Sequence, residues 1–149
     1  MQVDRLADGL WRWAVGDAAS VYHEAPDGIV LIDPLVPDDE AERFWRHLDQ
    51  DVARVGQPPT VVVTIGDPRS AEAVRDRYPG ARVLGVGTGE PLEDGQTLSG
   101  GCRVTLVDGP AALIRCACHG LLWIGDVPLD QVPDAAATWI IPAHGPVLR

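Results

Sequence analysis

The sequence predicts an α+β fold in which two β-sheets pack face to face with helices on the outside. Three observations carry this. A strand–helix–strand unit runs from Thr60 to Val86, extended hairpin runs precede it, and a turn-rich half of short strands follows it. The 149 residues suit one domain, spanning residues 1–149, that is large enough to bury a real core.

Leu10–Val15 alternates at period two, as a strand with one exposed face does. The Trp residues read as core or interface; Trp11 and Trp13 share a face of this strand and offer a contact for a homodimer. Ala19–Ala25 and Gly28–Asp33 are extended runs joined by the turn signal Pro26-Asp27-Gly28, which predicts a hairpin. Asp38–Val55 reads as a helix capped by Asp39, with Glu42 at the capping-box position and Phe44, Leu48 and Val52 on one face. Thr60–Thr64 is a run of β-branched residues, hence a buried strand. Asp67-Pro68 opens a second helix that Pro79-Gly80 closes, with Ala71, Val74 and Tyr78 inward. Arg82–Val86 is the strand that completes the unit, so a parallel pair is expected. Gly85–Gly101 reads as loop. Arg103–Val107, Ala111–Cys118, Leu121–Ile124 and Trp139–Ile141 read as short strands. A doubly wound α/β domain is the competing architecture, and a single continuous parallel sheet would mark it.

Net charge is −10 and the isoelectric point about 4.6. Such a chain lacks the cationic face that nucleic acid or an anionic membrane requires, so neither is expected as a partner. Every cation is Arg; there is no Lys and no Asn. No apolar run is long enough to span a bilayer, and Met1–Arg5 lacks the pattern of a signal peptide, so the expected compartment is the cytoplasm. An odd number of cysteines, Cys102, Cys116 and Cys118, argues against a disulfide framework. Cys116 and Cys118 read instead as small apolar residues on one strand face, with His119 in a hairpin turn. His23 and His47 read as isolated residues on a strand and on a helix surface.

Four stretches, taken in order, resemble the metallo-β-lactamase fold superfamily: Asp8-Gly9-Leu10-Trp11, the run ending Val30-Leu31-Ile32-Asp33-Pro34, Leu122-Trp123-Ile124-Gly125-Asp126, and Ile141-Pro142-Ala143-His144-Gly145-Pro146. The resemblance implies a four-layer αββα sandwich, shortened here, with a two-metal hydrolytic site along one edge. Such a site holds two ions that share a hydroxide and clamp the substrate oxygen. In that superfamily about five His and a bridging Asp form the cage, led by a Thr-His-x-His-x-Asp-His run after a buried strand.

The corresponding run here is Thr64-Ile65-Gly66-Asp67-Pro68-Arg69-Ser70. By position, Ile65 and Asp67 replace two His, Arg69 replaces the Asp, and Ser70 replaces the last His. A further His expected near Leu106–Pro110 is missing, whereas Asp126 matches the bridging Asp and His144 the final His. Four His in the whole chain cannot supply five ligands. Arg69 is a permanent cation that cannot ligate a metal. A small bacterial branch with an eroded ligand run is also similar, although its members are longer; this chain is short between Leu129 and Trp139, where a helix usually precedes the last strand.

The candidate cleft is therefore Asp67, Arg69, Asp126 and His144. Three of these have a plain alternative: Asp67 as a helix cap, Asp126 as a turn former, His144 as a hydrogen bond that pins the C-terminus. Asp33 reads as a turn former before Pro34. The expected function is a non-hydrolytic descendant, with no cofactor, that binds a small molecule or another subunit. The alternative is a mononuclear hydrolase of an ester, thioester or amide, with one zinc or manganese ion on Asp67, Asp126 and His144.

Overall fold

The computed structural model describes residues 1–65, 68–85, 89–107, 111–133 and 136–149, with Thr64 described for its backbone alone. Strands β1 (Gln2–Ala7), β2 (Leu10–Val15), β3 (Ala18–Ala25) and β4 (Gly28–Ile32) come first. Helix α1 (Ala41–Val55), β5 (Pro59–Thr64), α2 (Arg69–Arg77) and β6 (Arg82–Gly85) follow. The short β7 (Glu90–Pro91) and β8 (Thr97–Leu98) lead into β9 (Cys102–Val107), β10 (Ala111–Cys116), β11 (Leu121–Gly125) and β12 (Trp139–Pro142).

Two mixed sheets result. The first has the order β1-β2-β3-β4-β5-β6-β7 and the second β12-β11-β10-β9-β8. The first four strands pair antiparallel, and β4-β5, β5-β6 and β6-β7 pair parallel. A doubly wound single sheet is thereby excluded, and the predicted α+β sandwich is what forms. The parallel pair expected around the second helix is β5-β6.

The period of two in each strand sorts side chains between layers. Val30, Ile32, Val61 and Val63 face the second sheet, meeting Val104, Ile114, Trp123 and Ile141. Their neighbours Ile29, Leu31 and Val62 face outward, onto Phe44 and Leu48 of α1 and Ala71 and Val74 of α2. Burial on both faces explains why these strands read as unbroken apolar runs. On the second sheet, Leu113, Leu122, Ile124 and Ile140 form the outer face under Val127 and Val132. Among the described residues a 3-10 turn, Leu129–Gln131, takes the place of an α-helix there, so the shortening falls on the fourth layer.

The structure departs from the sequence reading at several points. β1 is an additional edge strand; its apolar residues Val3, Leu6 and Ala7 are spaced irregularly rather than at period two, so Gln2–Ala7 does not announce itself as a strand. Helix α1 starts at Ala41 rather than Asp38. Glu40, not Asp39, occupies the cap position without a capping bond, because its carboxylate is taken by the Met1 amine and by Arg43. Pro68 precedes α2 at the cap position, and Asp67 lies outside the described residues. Within the stretch read as loop, β7 and β8 extend the two sheets. Trp13 is 5% exposed and packs on Phe44 under α1, with its indole N–H donating to the Leu35 carbonyl, so it belongs to the core. Gly28, at φ +149°, closes the β3-β4 hairpin against β5; a Cβ there would lie 2.4 Å from Thr60 Oγ1.

The cysteines require the largest correction. Cys102 and Cys116 face each other across the β9-β10 pair, with Cα atoms 4.1 Å apart, and form a disulfide. Both are fully buried between the sheets. The odd count left one cysteine over rather than leaving all three unpaired. The strand ends at Cys116, and a 3-10 turn, Ala117–His119, carries Cys118 out to the surface as a free thiol. Cys118 is thus neither buried nor on the face of Cys116.

Candidate functional site

Several strand ends gather at one edge of the sandwich. The Ala19 amide donates to the Ala143 carbonyl, and the Ala143 amide to the Gly125 carbonyl. The Ser20 hydroxyl donates to the Asp33 carbonyl, and the Asp33 carboxylate accepts from the Ile65 amide at 3.0 Å. One chain of hydrogen bonds therefore ties the ends of β11 and β12 to the start of β3 and the ends of β4 and β5. Asp33, at φ +47°, is the turn former the sequence suggested.

His144 and Asp126 meet at this edge. Gly125, at φ +56°, turns the chain out of β11, and the Val127 amide closes the turn on the Ile124 carbonyl. Asp126 projects from that turn with its side chain 78% exposed. His144 follows β12, with Nε2 3.6 Å from Asp126 Oδ1 and Nδ1 3.5 Å from Asp17 Oδ2. The imidazole stands between two carboxylates, one on each side of the ring. Pairs this exposed contribute about 0–1 kcal/mol.

A residue the sequence reading passed over holds this loop. Arg12 is 7% exposed; it donates from Nη2 to the Gly145 carbonyl at 2.7 Å and from Nη1 to Asp4 at 3.1 Å. An arginine inside a strand pattern of Trp residues was the available signal, since a buried guanidinium demands partners.

The rest of the ligand run does structural work or faces solvent. Ile65 packs against the layer between the sheets. The Ser70 hydroxyl accepts from the Val36 amide at 3.0 Å, tying the loop after β4 to α2. Arg69 is exposed at the start of α2. Asp67 lies outside the described residues, so its distance to Asp126 and His144 is not part of this geometry. Among the described residues, no three metal-ligating atoms converge at this edge.

Three of the four His stand elsewhere. His47 is on α1 beside Trp11 and Trp13. His119, in the turn between β10 and β11 as expected, lies at the other end of the sandwich together with His23, which the sequence leaves as an isolated strand residue. His23, on β3, is fully buried, and its Nε2 is 3.2 Å from Cys118 Sγ. His119 Nδ1 is 3.6 Å from the same sulfur, and the two imidazoles meet edge to face at 4.9 Å. Burial, with His119 adding to it, pushes the His23 pKa down to about 4, so the ring is neutral at pH 7. No spacing in the sequence pairs residue 23 with 118 and 119; β-sheet topology alone does that.

An α+β sandwich with this strand order and this edge is the metallo-β-lactamase fold. The chain is similar to the DIM-1 metallo-β-lactamase, with a TM-score of 0.70 at 11% identity over 98% of this chain and 90% of that one. It is similar to the IND-7 metallo-β-lactamase, with a TM-score of 0.67 at 15% identity over 97% and 90%. A Cronobacter sakazakii metallo-β-lactamase with a HARLDQ motif gives 0.64 at 14% identity over 97% and 78%. The sequence matches no protein-family model and no curated protein sequence. At these identities the likeness is one of fold. Among the described residues no helix is long and apolar enough to cross a membrane.

Proposed function

We propose that this chain uses the metallo-β-lactamase sandwich as a scaffold without a two-metal hydrolytic centre, and that the edge around Asp126 and His144 binds a small molecule or a second copy. The observation that carries this is the donor set. Of four imidazoles, His144 alone stands at that edge, and it is flanked by carboxylates rather than by further imidazoles. Arg69 adds a permanent cation in the position of a ligand carboxylate, which repels a metal at short range unless it turns away. Among the described residues, the donors at this edge do not fit two ions. The cytoplasmic expectation rests on the lack of a signal-peptide pattern, and the Cys102–Cys116 bond weighs against it, because a disulfide is the habit of oxidising compartments.

Manganese is the appropriate probe, since it favours carboxylate ligands over thiolates. The expected result is no tight stoichiometric binding by calorimetry, and no cleavage of a chromogenic β-lactam or a p-nitrophenyl ester. Two tightly held ions per chain, lost together with hydrolysis in Asp126→Ala, would overturn the scaffold reading.

The 3.6 Å approach of His144 to Asp126 favours one second reading, a mononuclear hydrolase. Asp67, Asp126 and His144 would hold one zinc or manganese ion, which supplies an activated water for an ester, thioester or amide carbonyl. One equivalent of metal with ester cleavage that disappears in His144→Ala is the result this reading requires.

A further inference from the structure

We propose that His23, Cys118 and His119 form a binding site for one thiophilic divalent cation of the zinc class, at the end of the sandwich opposite the candidate cleft. β2 separates the two places. Its first end adjoins the Asp8-Gly9 turn beside His119, and its second adjoins Asp17 beside His144. Six residues of strand span about 20 Å, so the two sites share no ligand.

The geometry fits a tetrahedral ion. Zinc lies about 2.3 Å from sulfur and about 2.0–2.1 Å from imidazole nitrogen, so the sulfur–nitrogen edge of a tetrahedron is about 3.6 Å. The observed sulfur–nitrogen separations are 3.2 Å to His23 and 3.6 Å to His119. The three ligand atoms all lie within 4.8 Å of one another. An ion can therefore enter with shifts of a few tenths of an ångström. One thiolate and two imidazoles leave a fourth position for water or a ligand.

Both rings present the correct nitrogen. His119 Nε2–H donates to the Asp8 carbonyl at 2.7 Å, which fixes the tautomer and leaves the Nδ1 lone pair toward Cys118. A metal-ligating His is oriented in this way by a carbonyl on its other nitrogen. His23 aims Nε2 at the sulfur, and burial holds it as the neutral ring a metal requires. Its buried Nδ1 has no hydrogen-bond partner among the described residues, so the Nδ1–H tautomer that frees the Nε2 lone pair carries an unpaired donor, a cost that bonding of Nε2 to the ion must offset. Gly100 makes room: a Cβ at that position would lie 3.0 Å from His23 Cε1 and 2.9 Å from the Ala25 Cβ. Cys118 is exposed, which gives an ion a way in.

Cobalt(II) titration of the metal-free, disulfide-intact chain, without reductant, tests this. Cys118 is then the free thiol, so a thiolate-to-cobalt charge-transfer band reports this site and not the carboxylate edge. The expected result is one equivalent per chain with that band, displaced by zinc. Cys118→Ser should abolish the band. Loss of an outer-shell partner alone weakens metal binding about 10–100-fold, so loss of the thiolate should exceed about tenfold in a zinc competition assay. Cys118 is on the surface, so the variant folds. The Asp126→Ala/His144→Ala double variant should keep the band. No band in a chain whose Cys118 titrates as a free thiol, a band that survives Cys118→Ser, or a band lost in the double variant would each overturn the proposal.

Discussion

Opening the Cys102–Cys116 bond should lower stability by about 3 kcal/mol, the entropy of closing a loop of about 15 residues in the unfolded chain. The two cysteines are 14 residues apart. For a domain of this size that is a fall in Tm of about 6–12 °C. The bond bridges β9 and β10 inside the layer between the sheets, where both residues are fully buried. Cys102→Ala/Cys116→Ala should lose as much, plus the cost of a small void where the sulfurs were. Urea unfolding of the oxidised chain, the reduced chain and the double variant separates the two terms. A reduced chain that unfolds within about 0.5 kcal/mol of the oxidised one would show that the bridge adds nothing to the fold. The sulfurs of the bridge also lie within 4.8 Å of a ring nitrogen of His23. Reduction should therefore alter the His23 pocket as well as the stability, and this is why the cobalt experiment keeps the bond intact.

What the sequence made legible was whatever depends on local period and turn chemistry. The β-branched run Val61–Val63, the Pro26–Gly28 turn and the face of Phe44 and Leu48 each encode their element within a few residues, and each element formed. β1 did not show, because its apolar residues Val3, Leu6 and Ala7 break the period of two that marks a strand. The cap of α1 was misplaced because Glu40 is captured by the chain terminus, a contact between residues 39 apart. The cysteines show the same limit more sharply. Register pairs 102 with 116, and the end of β10 at 116 sends 118 outward. Extending the strand by two residues misplaces Cys118 alone, since Cys116 is buried on β10 as expected; the bridge itself was hidden by the odd count. At the candidate cleft, the pairing of Asp126 with His144 was legible because both follow recognisable strand ends. Arg12 was not, since its partner Gly145 is 133 residues away.

Trp123→Ala should cost about 3–5 kcal/mol, the usual price of emptying a buried aromatic site. Against a total stability of about 5–15 kcal/mol, that is a large fraction of what keeps the chain folded. Trp123 is fully buried on β11, opposite Ile114 on β10 and alongside Ile141 on β12, and it fills the space toward Val30, Ile32, Val61 and Val63 of the first sheet. No smaller residue on either sheet can close that gap without drawing the sheets together. The indole carries a flaw, however. Its N–H is buried with no hydrogen-bond partner among the described residues, and such a group costs about 1–3 kcal/mol. Trp123→Phe removes that donor while keeping most of the ring, so the two effects oppose each other and the net loss should stay below about 1.5 kcal/mol. Equal losses in the Ala and Phe variants, measured by urea unfolding, would mean that the indole N–H has a partner in solution. The consequence reaches the cleft. Trp123 lies two residues before Gly125, where β11 turns out to present Asp126 to His144. A collapsed Trp123→Ala core should therefore disturb the Asp126–His144 pair, seen as altered His144 ring signals in NMR, whereas Trp123→Phe should leave them in place.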